Sequence, residues 1–75
     1  MLKVEIEEEL KAIGRRAASI RYKGGIRQYK AAELLGLDKT SLCLMEHGRV
    51  AITLKNLLKM RKLYGCKMAD FFQDE

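Results

Sequence analysis

The sequence predicts an all-α fold, a compact bundle of five short helices, and three observations point there. The 75 residues contain no proline, so no position forbids a helix outright. Apolar residues recur at three- and four-residue steps, the period of one helix face. Glycines at 24–25, 36, 48 and 65 cut the chain into stretches of helical length.

The first helix is expected over residues 5–23. Four glutamates crowd its opening turns, where the positive end of the helix dipole favours them. Leu10, Ile13, Ala17 and Ile20 form its core face. The alternation of Leu2, Val4 and Ile6 ahead of it also fits a short strand. Gly24-Gly25 ends the first helix and a second follows over residues 27–35, with Ala31, Ala32 and Leu35 inward. Gly36 stops it. Asp38 is a natural N-cap for a third helix over residues 39–46, with Leu42 and Met45 inward and Leu37 filling the turn. Thr53 caps a fourth over residues 54–64, where Leu54, Leu57, Leu58 and Met60 are the inward candidates. Met68, Phe71 and Phe72 anchor a short fifth helix after Gly65.

Length and composition limit the function classes. At 75 residues the whole chain, 1–75, reads as one domain. It is 48% hydrophobic and 33% charged, a globular mix, and no apolar run approaches the roughly 20 residues that span a bilayer. No membrane association and a cytoplasmic location are therefore expected. Cys43 and Cys66 are too few for a disulfide framework and lack zinc-site spacing. One histidine, two separated cysteines and carboxylates gathered near the ends build no catalytic constellation, so the chain reads as no enzyme, with neither metal nor cofactor. The net charge is +5, but its distribution says more. Residues 11–67 hold 14 basic residues against 3 acidic ones, a local balance of +11. A basic middle between acidic ends suits a polyanion, with nucleic acid the leading candidate.

The second and third helices are joined by Gly36 and Leu37 alone, with Asp38 as cap. So short a turn forces a steep crossing, the helix-turn-helix geometry. In that geometry the first helix lies across the DNA backbone and the second enters the major groove.

These residues also carry a family pattern. Gly25-Ile26-Arg27-Gln28-Tyr29-Lys30-Ala31-Ala32-Glu33-Leu34-Leu35-Gly36-Leu37 resembles the G-L-T-Q-x-x-L-A-x-x-L-G-V of lambda-repressor/Cro-like helix-turn-helix domains, the XRE family. Glu46-His47-Gly48-Arg49 is similar to the family's E-x-G-K/R. Leu57-Leu58-Lys59-Met60-Arg61-Lys62-Leu63-Tyr64-Gly65 is similar to L-L-K-I-A-x-A-L-G. Ile13-Gly14-Arg15-Arg16-Ala17-Ala18-Ser19-Ile20-Arg21 resembles L-G-x-R-I-R-x-L-R. No single piece is diagnostic, but four in order at the right spacings are. The likeness runs from about residue 13 to 72. Residues 1–10 are left as an acidic start of the first helix or a short N-terminal extension.

The resemblance implies a lambda-repressor-like fold and a sequence-specific, double-stranded-DNA-binding transcriptional regulator. It implies a homodimer on a near-palindromic operator, with Met68, Phe71, Phe72 and exposed parts of the fourth helix as interface candidates; the alternative for Met68, Phe71 and Phe72 is that all three fill the monomer core. It implies an ion pair of Arg21 with Glu46, tying the first helix to the end of the third. It also gives Gln28 a phosphate, which suits the free N–H groups of a helix N-terminus. Arg27, His47 and Arg49 are further phosphate candidates, against the alternative of plain solvated positions. Base contacts are expected from the outward side of the third helix, from Lys39, Thr40, Ser41 and Leu44. Lys39 suits guanine O6 and N7, and Leu44 suits a thymine methyl. Lys39 can equally meet phosphate, and Ser41 can turn to a local backbone hydrogen bond.

Three departures matter. Arg27 stands where the family usually has Thr or Ser as cap, losing a bond typically worth about 1 kcal/mol. Ile52 replaces a common proline. Cys43-Leu44 puts apolar side chains on the outward face of the third helix, where the family is polar. An apolar reading face supports a second hypothesis, a protein–protein interaction module or antitoxin-like partner with Tyr29, Cys43 and Leu44 as its patch.

Overall fold

In the computed structural model, which describes residues 1–74, helix α1 spans Leu2–Lys23, α2 Gln28–Leu35, α3 Lys39–Glu46 and α4 Leu54–Tyr64. A single 3-10 turn, Met68–Phe71, follows. The expected fifth helix is thus one turn of tighter winding. Of its three anchors, Met68 and Phe71 are three residues apart, the spacing that eclipses in a 3-10 helix, and Phe72 falls just past its end. The Asp70 carboxylate accepts the Lys67 N–H at 2.9 Å and closes that turn.

The caps act where the sequence places them. Asp38 Oδ1 accepts the Ser41 N–H at 2.6 Å, which holds its carboxyl below the usual range. Thr53 Oγ1 accepts the Asn56 N–H at 3.1 Å. Arg27, standing at the α2 N-cap, supplies no side-chain cap. Gly36 ends α2 at φ 75°, and Lys59 Nζ donates to the Leu35 carbonyl at 3.1 Å.

The core gathers Ala17 from α1, Ala31, Ala32 and Leu35 from α2, Leu42 and Met45 from α3, Leu57 and Met60 from α4, and Phe71. Leu37 packs against it from the turn, with Ile13 and Ile20. Leu54 and Leu58 depart from expectation: they remain 65% and 41% exposed. By helical rotation they flank the side of α4 that carries Leu57 and Met60, and one helix face is all that its neighbours cover.

At its other end α1 begins three residues earlier than expected, so residues 2–6 are helix rather than strand. Only Glu5 falls in the first turn. Residues 1–9 are all exposed.

Where α1 crosses the end of α3, two glycines allow the backbones to touch. A β-carbon at Gly14 would collide with the carbonyl oxygens of Met45 and Glu46. A β-carbon at Gly48, φ +71°, would lie 2.5 Å from Lys11 Cα. Gly14 and Gly48 therefore both serve packing, whereas Gly24, Gly25, Gly36 and Gly65 punctuate the helices.

Candidate nucleic-acid interface

The crossing positions a buried ion pair. Arg21 lies near the C-terminus of α1 and Glu46 is the last residue of α3. Arg21 Nε donates to Glu46 Oε2 at 2.7 Å and Nη2 donates to Oε1 at 3.0 Å, a two-pronged fork. Nη1 donates to the Ile26 carbonyl at 2.8 Å, fixing the turn that Gly24 and Gly25 make before α2. The side chains are 8% and 4% exposed. The hydrogen bond to Glu46 raises the Arg21 pKa still further, outweighing the cost of burial.

Gln28 completes this network. Its Nε2 donates to Glu46 Oε1 at 2.9 Å, so Glu46 holds α1, α2 and α3 together. Gln28 was expected as a phosphate ligand. In the free chain its amide is turned inward, and one Nε2 hydrogen remains for an outside acceptor.

Gln28 and His47, far apart in sequence, border one open groove with Lys11, Arg15 and Tyr22, and with Glu8, whose carboxylate lies 3.8 Å from Lys11 Nζ. Arg27 and Gln28 line a second, smaller recess beside it, again with Arg21 and Tyr22. The Arg21 guanidinium lies 5.4 Å from the centre of the Tyr22 ring. Sequence reasoning missed Lys11, Arg15 and Tyr22. Their spacing of four and seven residues puts them on one helix face, which was legible. That this face turns toward α2 was not, because the glycine crossing at residue 14 sets the rotation of α1.

The expected reading residues lie on α3. Lys39 and Thr40 are exposed, Ser41 is half-buried and Leu44 is 38% exposed. Cys43 is half-buried, with Sγ 3.6 Å from His47 Nδ1. His47 Nδ1 also lies 2.8 Å from the Cys43 carbonyl oxygen. A carbonyl can only accept, so this bond puts the proton on Nδ1 and makes Nε2 an acceptor in the neutral ring. Contact with a phosphate oxygen through Nε2 therefore requires the charged ring. Arg49 is exposed in the loop after α3, and its N–H reaches back to the Leu44 carbonyl at 2.9 Å.

The three interface candidates separate. Phe71 is fully buried in the chain's own core, so it is unavailable to a second copy. The turn that carries it packs on α1 and α4 instead. Met68 is half-buried against the same core, and Phe72 is 50% exposed.

Among the described residues, no group of three or more His, Cys, Asp or Glu could hold a metal ion, and no helix is long and apolar enough to cross a membrane. Residues 18–71 match the helix-turn-helix family model. The chain belongs to the XRE/Cro-like helix-turn-helix family. That class of domain binds DNA in transcription regulation and is not enzymatic. The helix-turn-helix-type transcriptional regulator PuuR of Escherichia coli is 33% identical over 69 residues, as is PuuR of Shigella flexneri. The match covers 92% of this chain but 37% of either regulator. The crystal structure of the restriction-modification controller protein C.AhdI from Aeromonas hydrophila superposes with a TM-score of 0.80. It shares 28% identity, over 87% of this chain and 98% of that one. Their common fold is lambda-repressor-like.

Proposed function

We propose that this chain is the sequence-specific DNA-binding part of a transcriptional regulator, working as a homodimer on a near-palindromic operator. The observation that carries the reading is the shared groove: Gln28 at the start of α2 and His47 at the end of α3 meet Lys11 and Arg15 of α1, beside Glu8, along one edge. A helix N-terminus flanked by cations is the arrangement a DNA phosphate needs. The buried Arg21–Glu46 pair and the Gln28 bond to Glu46 hold α1, α2 and α3 around it, so the spacing is preset before DNA arrives.

On this reading α3 enters the major groove. Lys39, Thr40, Ser41 and Leu44 meet base edges, and Arg27, Gln28, His47 and Arg49 hold the backbone. Two such units would read half-sites about one helical turn, roughly 34 Å, apart.

Selection from random duplexes, followed by titration of the winner at several salt concentrations, tests this. An enriched two-fold motif and an affinity falling linearly with salt on logarithmic axes are expected. Weak, salt-insensitive binding with no motif would refute it. Lys39→Ala should relax preference at one position of each half-site, whereas Gln28→Ala should weaken all duplexes alike.

A further inference from the structure

The first turns of α1 carry an apolar stripe that nothing in the domain covers. At about 100° per residue, Leu2 and Ile6 fall on the same side of the helix as Ile13, Ala17 and Ile20. Those three meet the core. Leu2 and Ile6 are 75% and 45% exposed. Glu5 and Glu9 border them along one edge by the same rotation.

The exposed side of α4 has the opposite character. Leu54 and Leu58, four residues apart, form an apolar strip bordered by Lys55, Lys59, Arg61 and Lys62. The helix contains no acidic residue. Two such faces packed together would set lysine against lysine, and two α1 starts would set glutamate against glutamate. Both are disfavoured, because like charges brought together at an interface repel. One start laid on one α4 face pairs apolar with apolar and acid with base.

We propose that residues 2–9 of one copy dock on the α4 face of a second copy, and that the exchange is reciprocal. A reciprocal exchange is two-fold symmetric and closes at two chains. The inference rests on the homodimer reading above and names the surfaces that make it.

Charge exchange on the full chain tests it, read by sedimentation equilibrium at low salt. One variant carries Glu5→Lys and Glu9→Lys, the other Lys55→Glu and Lys62→Glu. All four positions are exposed, and thermal melting followed by circular dichroism checks that each variant folds. Each alone should dimerise at least tenfold more weakly than the wild type, because both contacts become repulsive. An equimolar mixture should recover the wild-type association, because both contacts of the mixed pair are complementary again. Ile6→Ser and Leu58→Ser, which leave the charge unchanged, should each weaken association as well. A wild-type dimer untouched by the exchanges, or one that mixing fails to restore, overturns this pairing and leaves the homodimer standing. A wild-type chain that stays monomeric at every concentration overturns both.

Discussion

The two parts of α1 share one helix and one apolar stripe, yet they live in different surroundings. Over its second half, Gly14, Ala17 and Arg21 are buried against α3 and the core. Over residues 2–9 every side chain is exposed. Sequence periodicity is the same in both, so periodicity alone does not tell a core face from a face awaiting a partner. What distinguishes them is residue size at the crossing. Glycine at 14 and alanine at 17 let another backbone approach, whereas Leu2, Val4 and Ile6 present bulk with no such approach.

The sharpest way to break this contrast is to remove a partner from the buried half. Glu46→Ala strands the Arg21 guanidinium in a site that is 8% exposed. A loss of about 3–5 kcal/mol in urea unfolding at pH 7 is expected, the cost of an uncompensated buried charge. Gly14→Ala should come next. Its methyl group meets the Met45 and Glu46 carbonyls, which are backbone and cannot swing aside. Overpacking of this kind costs about 1–3 kcal/mol, and the same unfolding measurement reads it.

A subtler test lies at Tyr64. Its hydroxyl is buried with no hydrogen-bond partner among the described residues. Burial pushes its pKa from the ordinary 10 up to about 12, with the nearby Glu46 carboxylate adding to the effect. The folded chain therefore keeps the phenolic proton where the unfolded chain releases it. That contribution to stability is whole below pH 10 and is lost as the pH rises toward 12. Tyr64→Phe should flatten this alkaline decline relative to wild type, as read from urea midpoints at pH 8 to 11. The smallest effect is expected at the exposed end. Ile6→Ser should change the monomer's unfolding free energy by no more than about 0.5 kcal/mol, as for other surface positions.

Much of this architecture was legible in the residues. Asp38, Thr53 and Gly36 mark helix ends because capping and left-handed backbone are local chemistry. Arg21 and Glu46 were paired through family likeness, and their fork is present in the fold. The outward placing of Leu54 and Leu58 was not legible. A leucine every third or fourth residue states that a helix has an apolar side, and α4 has enough leucines for two. Gln28 shows the same limit at the site. Its place at the start of α2 follows from the chain, but its bond to Glu46, 18 residues away, exists only once α1 and α3 have crossed.

That crossing has a mechanical consequence. α1 is a single 22-residue helix, about 33 Å long, and the longest dimension of the chain is 36 Å. Gly14 and Gly48 weld it to the end of α3 by backbone contact, with no side chain between to slip or change rotamer. The bar pivots, if at all, only together with α3. A grip on residues 2–9 is therefore a handle on the orientation of α3, some two helical turns beyond the weld.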